Sequence, residues 1–217
     1  MTNSIDISFS SIFMMGYISC KVPEEVTKII DNEVNHMIDS NFHNCSPYNN
    51  TLAGAIQHEY LLRDSVNAID DLISVVAPTY WNNWGADQRS GKRHYIGKFN
   101  NSKDVWVNFQ KKYEHNPLHT HGGELSFVIW HKIPYDIEEE RKLPHLNKGN
   151  TNAAGIFYFN YPNFLTKGGC HQYNITVDKT LEHNMIIFPA FLQHGVFPFY
   201  TSDEYRISIS GNILYEQ

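Results

Sequence analysis

The 217-residue chain contains only three cysteines, Cys20, Cys45 and Cys170, none in C-x-x-C spacing. An odd, scattered set excludes a disulfide framework and fits a reducing compartment, so a cytoplasmic protein is expected. No apolar run reaches the ~20 residues that a membrane helix needs, and in MTNSIDISFSSIFMMGYISCKVP no basic residue precedes the apolar patch. Neither export nor membrane insertion is expected. Like charges form no block and the formal net charge is −6, which leaves nothing to drive binding to a phosphate backbone. Nucleic acid is not expected as the primary partner. There is also no internal repeat, low-complexity tract or linker, and with 41% hydrophobic and 14% aromatic residues the chain suits one well-cored domain, 1–217.

The first third, 1–94, reads as mostly helical. After an edge strand at roughly 11–20, PEEVTKIIDNEVNHMID opens on proline and acids and sets Val26, Ile29, Ile30, Val34 and Met37 on one helical face. A second helix is expected from Leu61 to Trp81, carrying Ile69, Leu72, Ile73 and Val76, with Pro78 kinking or ending it. From Tyr95 onward the rhythm changes. HYIGKF, DVWVNFQ, LSFVIWHKI, AGIFYFNY, YNITV, NMIIFPAF, GVFPFY and RISISGNIL are short aromatic and β-branched runs broken by Gly, Asn, Asp and Pro. That frequency implies a mainly β fold, a jelly roll (double-stranded β-helix, cupin-like) over 95–217 with the helices packed against it.

Candidate chemistry lies in the strand-rich half. In HNPLHTHGGELSF, His119 and His121 are two residues apart, so in an extended segment both side chains point the same way and can reach one ion. NMIIFPAFLQHGV ends an apolar strand with proline and then places His194 before a glycine, as at the rim of a cavity. Imidazoles grouped with open positions suit a mononuclear metal of the Fe(II) class. In YRISISGNI, Ile207, Ile209 and Ile213 alternate with Arg206, Ser208, Ser210 and Asn212, so one strand face is apolar and the other polar. Arginine offers a rigid fork that grips a carboxylate, and Ser208 points the same way with a hydroxyl. The competing role for Arg206 is a surface ion pair with Glu204.

The order H-x-H, F-P-x4-H-G-V and R-I-S-I-S resembles the Fe(II)/2-oxoglutarate-dependent oxygenase superfamily over roughly residues 100–213. WVNFQKKYEHNPLHTHGGELSFVIWHKIPY and IIFPAFLQHGVFP are more closely similar to an oxygenase branch common in marine bacteria and their phages, and LAGAIQHEY at 52–60 has its flavour. A phage-encoded protein would act in the host cytoplasm. The resemblance implies that His119 and His194 hold Fe(II) and that Arg206, with Ser208, anchors the 5-carboxylate of 2-oxoglutarate. The superfamily usually carries a carboxylate where this chain has His121, so two arrangements stay open. A three-histidine site is favoured because strand geometry aims His121 directly; Glu124 is the alternative, by way of the Gly122-Gly123 turn.

The implied reaction couples decarboxylation of 2-oxoglutarate, with O2, to hydroxylation of a C–H bond. Asn108 and Gln110 share one face of WVNFQ and either meet the ligand or lie on a solvated edge; the edge is favoured. Tyr113, Trp130 and Tyr158 read as core rather than cavity wall. KIPYDIEEERKLPHLNKGNTNAAG, about 132–155, breaks the strand rhythm and is a candidate lid. Two other classes remain, a cupin-like metal-binding structural protein without turnover and a three-histidine enzyme that uses no keto acid. Arg206 beside an intact open site separates the oxygenase from the first, and in the second Arg206 binds the substrate's own carboxylate. No motif marks the primary substrate.

Overall fold

Two sheets of unequal size face one another, and two helices cover the outside of the larger. The computed structural model describes residues 16–84, 92–99, 102–148, 153–163 and 169–216. The large sheet has eight strands. In spatial order these are β1 (Ile18–Lys21), β12 (Asn184–Pro189), β9 (Leu125–Lys132), β14 (Arg206–Tyr215), β7 (Val105–Gln110), β3 (His58–Leu61) and β2 (Ser46–Pro47), with β4 (His94–Ile96) also pairing β14. The smaller sheet runs β11 (Gly169–Thr176), β10 (Ile156–Asn163), β13 (Gln193–Val196) and β8 (Asn116–His119), and β5 (Lys98–Phe99) with β6 (Ser102–Lys103) forms a separate ribbon. All these pairings are antiparallel, and the two-layer arrangement is the expected jelly roll.

The central strands read as continuous apolar runs because both their faces are covered. Along β9, Phe127 and Ile129 join the core under the helices, while Val128 and Trp130 join the core between the sheets. Along β12, Met185 and Ile187 face the helices, and Ile186 and Phe188 face the small sheet. Strand β14 alternates differently. Ile207, Ile209 and Ile213 sink into the helix-side core, whereas Arg206, Ser208 and Ser210 face the cavity between the sheets. A polar face turned inward marks where the fold gives up apolar burial for another purpose.

Helix α1 (Glu24–Asp39) starts after Pro23 with Glu24 and Glu25 in its first turn, where acids favour the helix dipole. It buries Val26, Ile30, Val34 and Met37. Ile29, expected on the same face, is 39% exposed because it stands about 100° around the helix from Ile30. Helix α2 (Val66–Trp84) begins later than its periodicity suggests, because Leu61 belongs to β3 and pairs with Trp106 on β7. Its start is fixed by Glu33 of α1, whose carboxylate accepts from Asp64 N, Ser65 N and Ser65 Oγ. Pro78 does not end the helix, which continues to Trp84.

GVFPFY is only partly strand: Gly195 and Val196 belong to β13, and 197–200 leave regular structure at Pro198, which has no N–H to pair. Of the expected edge strand at 11–20, Ile18–Cys20 lie in β1 and 11–15 fall outside the described residues. The insertion after β9 forms the short helix α3 (Ile137–Arg141), capped by the Asp136 side chain. Fully buried Glu140 accepts from Tyr200 N at 2.8 Å, Thr201 N at 2.7 Å and the Thr201 hydroxyl, which docks this helix onto the segment leading to β14. Glu140→Ala removes the acceptor of three part-buried donors and should cost about 2 kcal/mol. A lowered denaturant midpoint measures it, and an unchanged midpoint would contradict the docking role.

Candidate metal centre

Strand pairing, more than local sequence, builds the site. His194 on β13 sits directly across from His119 on β8, and its other neighbour is Phe159 on β10. His121 reaches the same place from outside a strand. β8 ends at His119, and His121 lies in the following turn, where its N–H donates to the Ala190 carbonyl at 2.9 Å. The turn closes through Gly123 at φ +98°, a left-handed conformation that glycine adopts freely, and a Cβ there would stand a tight 3.2 Å from the Ile213 carbonyl oxygen. Strand alternation is therefore not what aims His121; the glycine turn is.

The three imidazoles converge, with one ligand atom from each lying within 4.8 Å of the others. Glu124 lies outside this cluster, its backbone N–H committed to the Ile213 carbonyl. His119 Nδ1 donates to Pro117 O at 2.7 Å and His194 Nδ1 donates to Leu192 O at 2.8 Å. A carbonyl can only accept, so each of these rings keeps its lone pair on Nε2, the arrangement that orients an imidazole toward a metal. Phe157 stacks on His194 and Phe188 meets it edge-on, which fixes the ring further.

Burial pushes His121 down to about 3, with the neighbouring His119 adding to the shift, and pushes His194 to about 3, with His119 and His121 adding. His119 is lowered by burial as well. All three are neutral at pH 7. The unfolded chain takes up protons below about pH 6.5, whereas folded His121 and His194 resist until about 3. Acid therefore favours the unfolded state across that window, and metal-free protein should lose stability progressively as pH falls through it. Melting temperature against pH checks this, and His121→Gln should flatten the curve. Equal slopes would contradict the assignment.

Arg206 is buried at the end of the polar face of β14. Its Nε and Nη2 donate to Gln110 Oε1 at 3.2 and 2.6 Å, Nη1 to the Tyr135 hydroxyl at 3.1 Å, and Nη2 to Phe197 O at 3.1 Å. Every one of these partners is neutral. Glu204 pairs instead with Lys132, so among the described residues the buried guanidinium has no carboxylate partner. Its fork is held in place rather than empty. Ser208, Asn108, Gln110 and Trp130 line one pocket with the histidines and Arg206, and Asn108 Nδ2 donates to Ser208 Oγ at 3.3 Å. Asn108 and Gln110 are thus buried cavity residues and not a solvated edge. Trp130 is both core and wall, Tyr158 packs on Phe197 away from the pocket, and Tyr113 is 63% exposed rather than core.

Residues 104–212, half of the chain, match the family described as "Putative 2OG-Fe(II) oxygenase". The chain belongs to this 2OG-Fe(II) oxygenase family. No curated protein matches the sequence. Among solved structures, this oxygenase is similar to a Pseudomonas putida prolyl-4-hydroxylase at 12% identity and TM-score 0.52, with 91% of each chain covered. It is equally similar to a Trichoplax adhaerens prolyl hydroxylase solved with a hypoxia inducible factor oxygen degradation domain peptide fragment. There the identity is 12%, the TM-score 0.52, and the coverage 92% of this chain and 83% of that one. At such identity the likeness shows the shared jelly-roll fold. The family implies Fe(II) and 2-oxoglutarate, and the residues of this oxygenase fit both: three neutral imidazoles converge for the metal, and a buried cation without an acid stands in the same pocket for a carboxylate. Among the described residues no helix is long and apolar enough to cross a membrane.

The sequence did not single out Glu59, Asn116 and Tyr135. Glu59 and Asn116 line the pocket, and Tyr135 braces Arg206. LAGAIQHEY carried a signal for Glu59; nothing local distinguishes Tyr135.

Proposed function

We propose that this oxygenase is a non-haem Fe(II)- and 2-oxoglutarate-dependent dioxygenase in which His119, His121 and His194 hold the metal and Arg206, with Ser208, anchors the far carboxylate of the keto acid. The convergence of three imidazoles beside an acid-free buried arginine carries this reading. When bound, the metal with 2-oxoglutarate and O2 supplies the oxidation: the keto acid loses CO2 and becomes succinate, and a C–H bond of the primary substrate becomes C–OH.

The chain's own residues have narrower tasks. His119 and His194, locked by Pro117 O and Leu192 O, present Nε2 without rotating. Gln110, Tyr135 and the Phe197 carbonyl take four of the five guanidinium N–H groups of Arg206 and fix its plane, so a carboxylate meets the charge and the remaining Nη1 N–H already in position. The apolar walls, Val128, Phe157 and Phe188, limit water around the site and strengthen those interactions. Because all three imidazoles are neutral, a dianionic co-substrate meets more uncompensated positive charge here than at a carboxylate-bearing site. Incubation with Fe(II), 2-oxoglutarate and air should yield succinate even without primary substrate, at a slow uncoupled rate. No succinate above the metal-free control would contradict the proposal.

A further inference from the structure

One side of the pocket holds oxygens that nothing satisfies. Glu59 is 1% exposed, its Oε1 has no hydrogen-bond partner, and its Oε2 accepts only from Asn49 Nδ2 at 3.3 Å. Asn108, its register partner on β7, is buried too and its Oδ1 is likewise orphaned. Directly paired antiparallel residues point to one face, about 5 Å apart at Cβ. Asn116 on β8 adds a third, half-buried oxygen: a Cβ placed on Gly54 would stand 2.4 Å from Glu59 Oε1 and 2.7 Å from Asn116 Oδ1, so both oxygens lie against Gly54, where any side chain would push between them. Buried acceptors left unpaired are costly, and native proteins retain them where a ligand completes them.

The co-substrate is the wrong ligand for these oxygens. Its carboxylates are anions, served by Arg206 and the metal under the function proposed above, and acceptors repel them. An alcohol brings one donor; a primary ammonium brings three and a compensating charge. We propose that the primary substrate carries a primary ammonium group, bound by Glu59, Asn108 and Asn116 beside the metal centre, an inference that rests on the oxygenase reading for calling this ligand the substrate. Burial, with the Glu114 charge second, holds the Glu59 carboxyl up at about 7, as expected of an acid awaiting a cation. The surroundings agree. Glu114 is committed to Gln57 N and Lys111 N, and no lysine or arginine pairs with Glu59 among the described residues. The segment leading to Glu59 is pinned by Ala55 N to His115 O at 2.9 Å, so this wall is anchored to the residue just before the strand that bears His119.

Saturation-transfer NMR on Mn(II)-loaded protein with 2-oxoglutarate tests the inference, using n-butylammonium for a free amine, Nα-acetyl-lysine N-methylamide for a lysyl side chain, and n-butanol as the neutral control. At least one amine should bind tenfold or more tighter than n-butanol. Glu59→Gln should weaken it about tenfold or more, and Asn108→Asp, which adds a carboxylate, should tighten it. Whichever amine is preferred identifies the source, small molecule or peptide. Amine and alcohol binding within twofold of each other would overturn the inference, as would Glu59→Gln altering 2-oxoglutarate affinity but not amine affinity. Failure of the keto acid to bind while amine selectivity persists would sink the oxygenase reading and leave only a cation site; the reverse would sink this inference alone.

Discussion

Arg206→Met is expected to weaken 2-oxoglutarate binding to the metal-loaded oxygenase about tenfold or more, the scale of one hydrogen bond to a charged group. The expectation comes from the company the guanidinium keeps. Gln110, Tyr135 and the Phe197 carbonyl satisfy four of its five N–H groups but supply no negative charge, so the cation is buried uncompensated until a carboxylate arrives. The guanidinium carbon stands 5.4 Å from the Phe199 ring centroid, and methionine keeps an apolar side chain beside that ring while removing the charge. Two effects oppose one another in the folded protein, relief of an unpaired buried charge and the stranding of Gln110 Oε1 and the Phe197 carbonyl, so melting temperature should move far less than affinity. Affinity lost with stability kept identifies an anchor. Stability lost with affinity kept would make Arg206 a purely structural residue and remove the co-substrate assignment.

The second large effect is expected at His194. Its ring lies 4.3 Å from that of His119 and 4.9 Å from that of His121, centroid to centroid, and it is the most buried of the three. Loss of an outer-shell partner of a metal ligand typically costs 10–100-fold in affinity, so loss of a ligand itself should cost on the order of a hundredfold or more. Metal titration of His194→Ala reads this. His183→Ala makes a suitable control, since His183 contacts His131 rather than the metal centre. An equal loss in both variants, or none in His194→Ala, would contradict a three-imidazole centre.

The jelly roll was legible because its strands carry a strong local mark. LSFVIWHK and NMIIFP read as fully apolar since one face meets the helices and the other the small sheet, and β14 alternated visibly because its inner face is polar. The metal-centre candidates were legible as residue types at telling places, but the path of His121 was not: a glycine turn, and not strand alternation, carries it to the others. What stayed hidden depends on pairing between distant segments. Asn108 and Gln110 resemble a solvated edge until β3 and β14 are placed on either side of β7. Glu59 acquires meaning only opposite Asn108 and beside Gly54. The start of α2 was misplaced because its capping carboxylate, Glu33, comes from another helix. GVFPFY has strand composition, yet Pro198 interrupts the ladder and the Phe197 carbonyl is turned to Arg206.

Anaerobic addition of Fe(II) followed by 2-oxoglutarate reads the metal and the keto acid together, through the weak visible charge-transfer band of their chelate. One equivalent of each per chain should develop the band in the native protein, and neither His194→Ala nor Arg206→Met should develop it at the same concentrations. A native protein that stays colourless at saturating Fe(II) and 2-oxoglutarate, or a His194→Ala protein that colours as fully as the native one, would contradict the account.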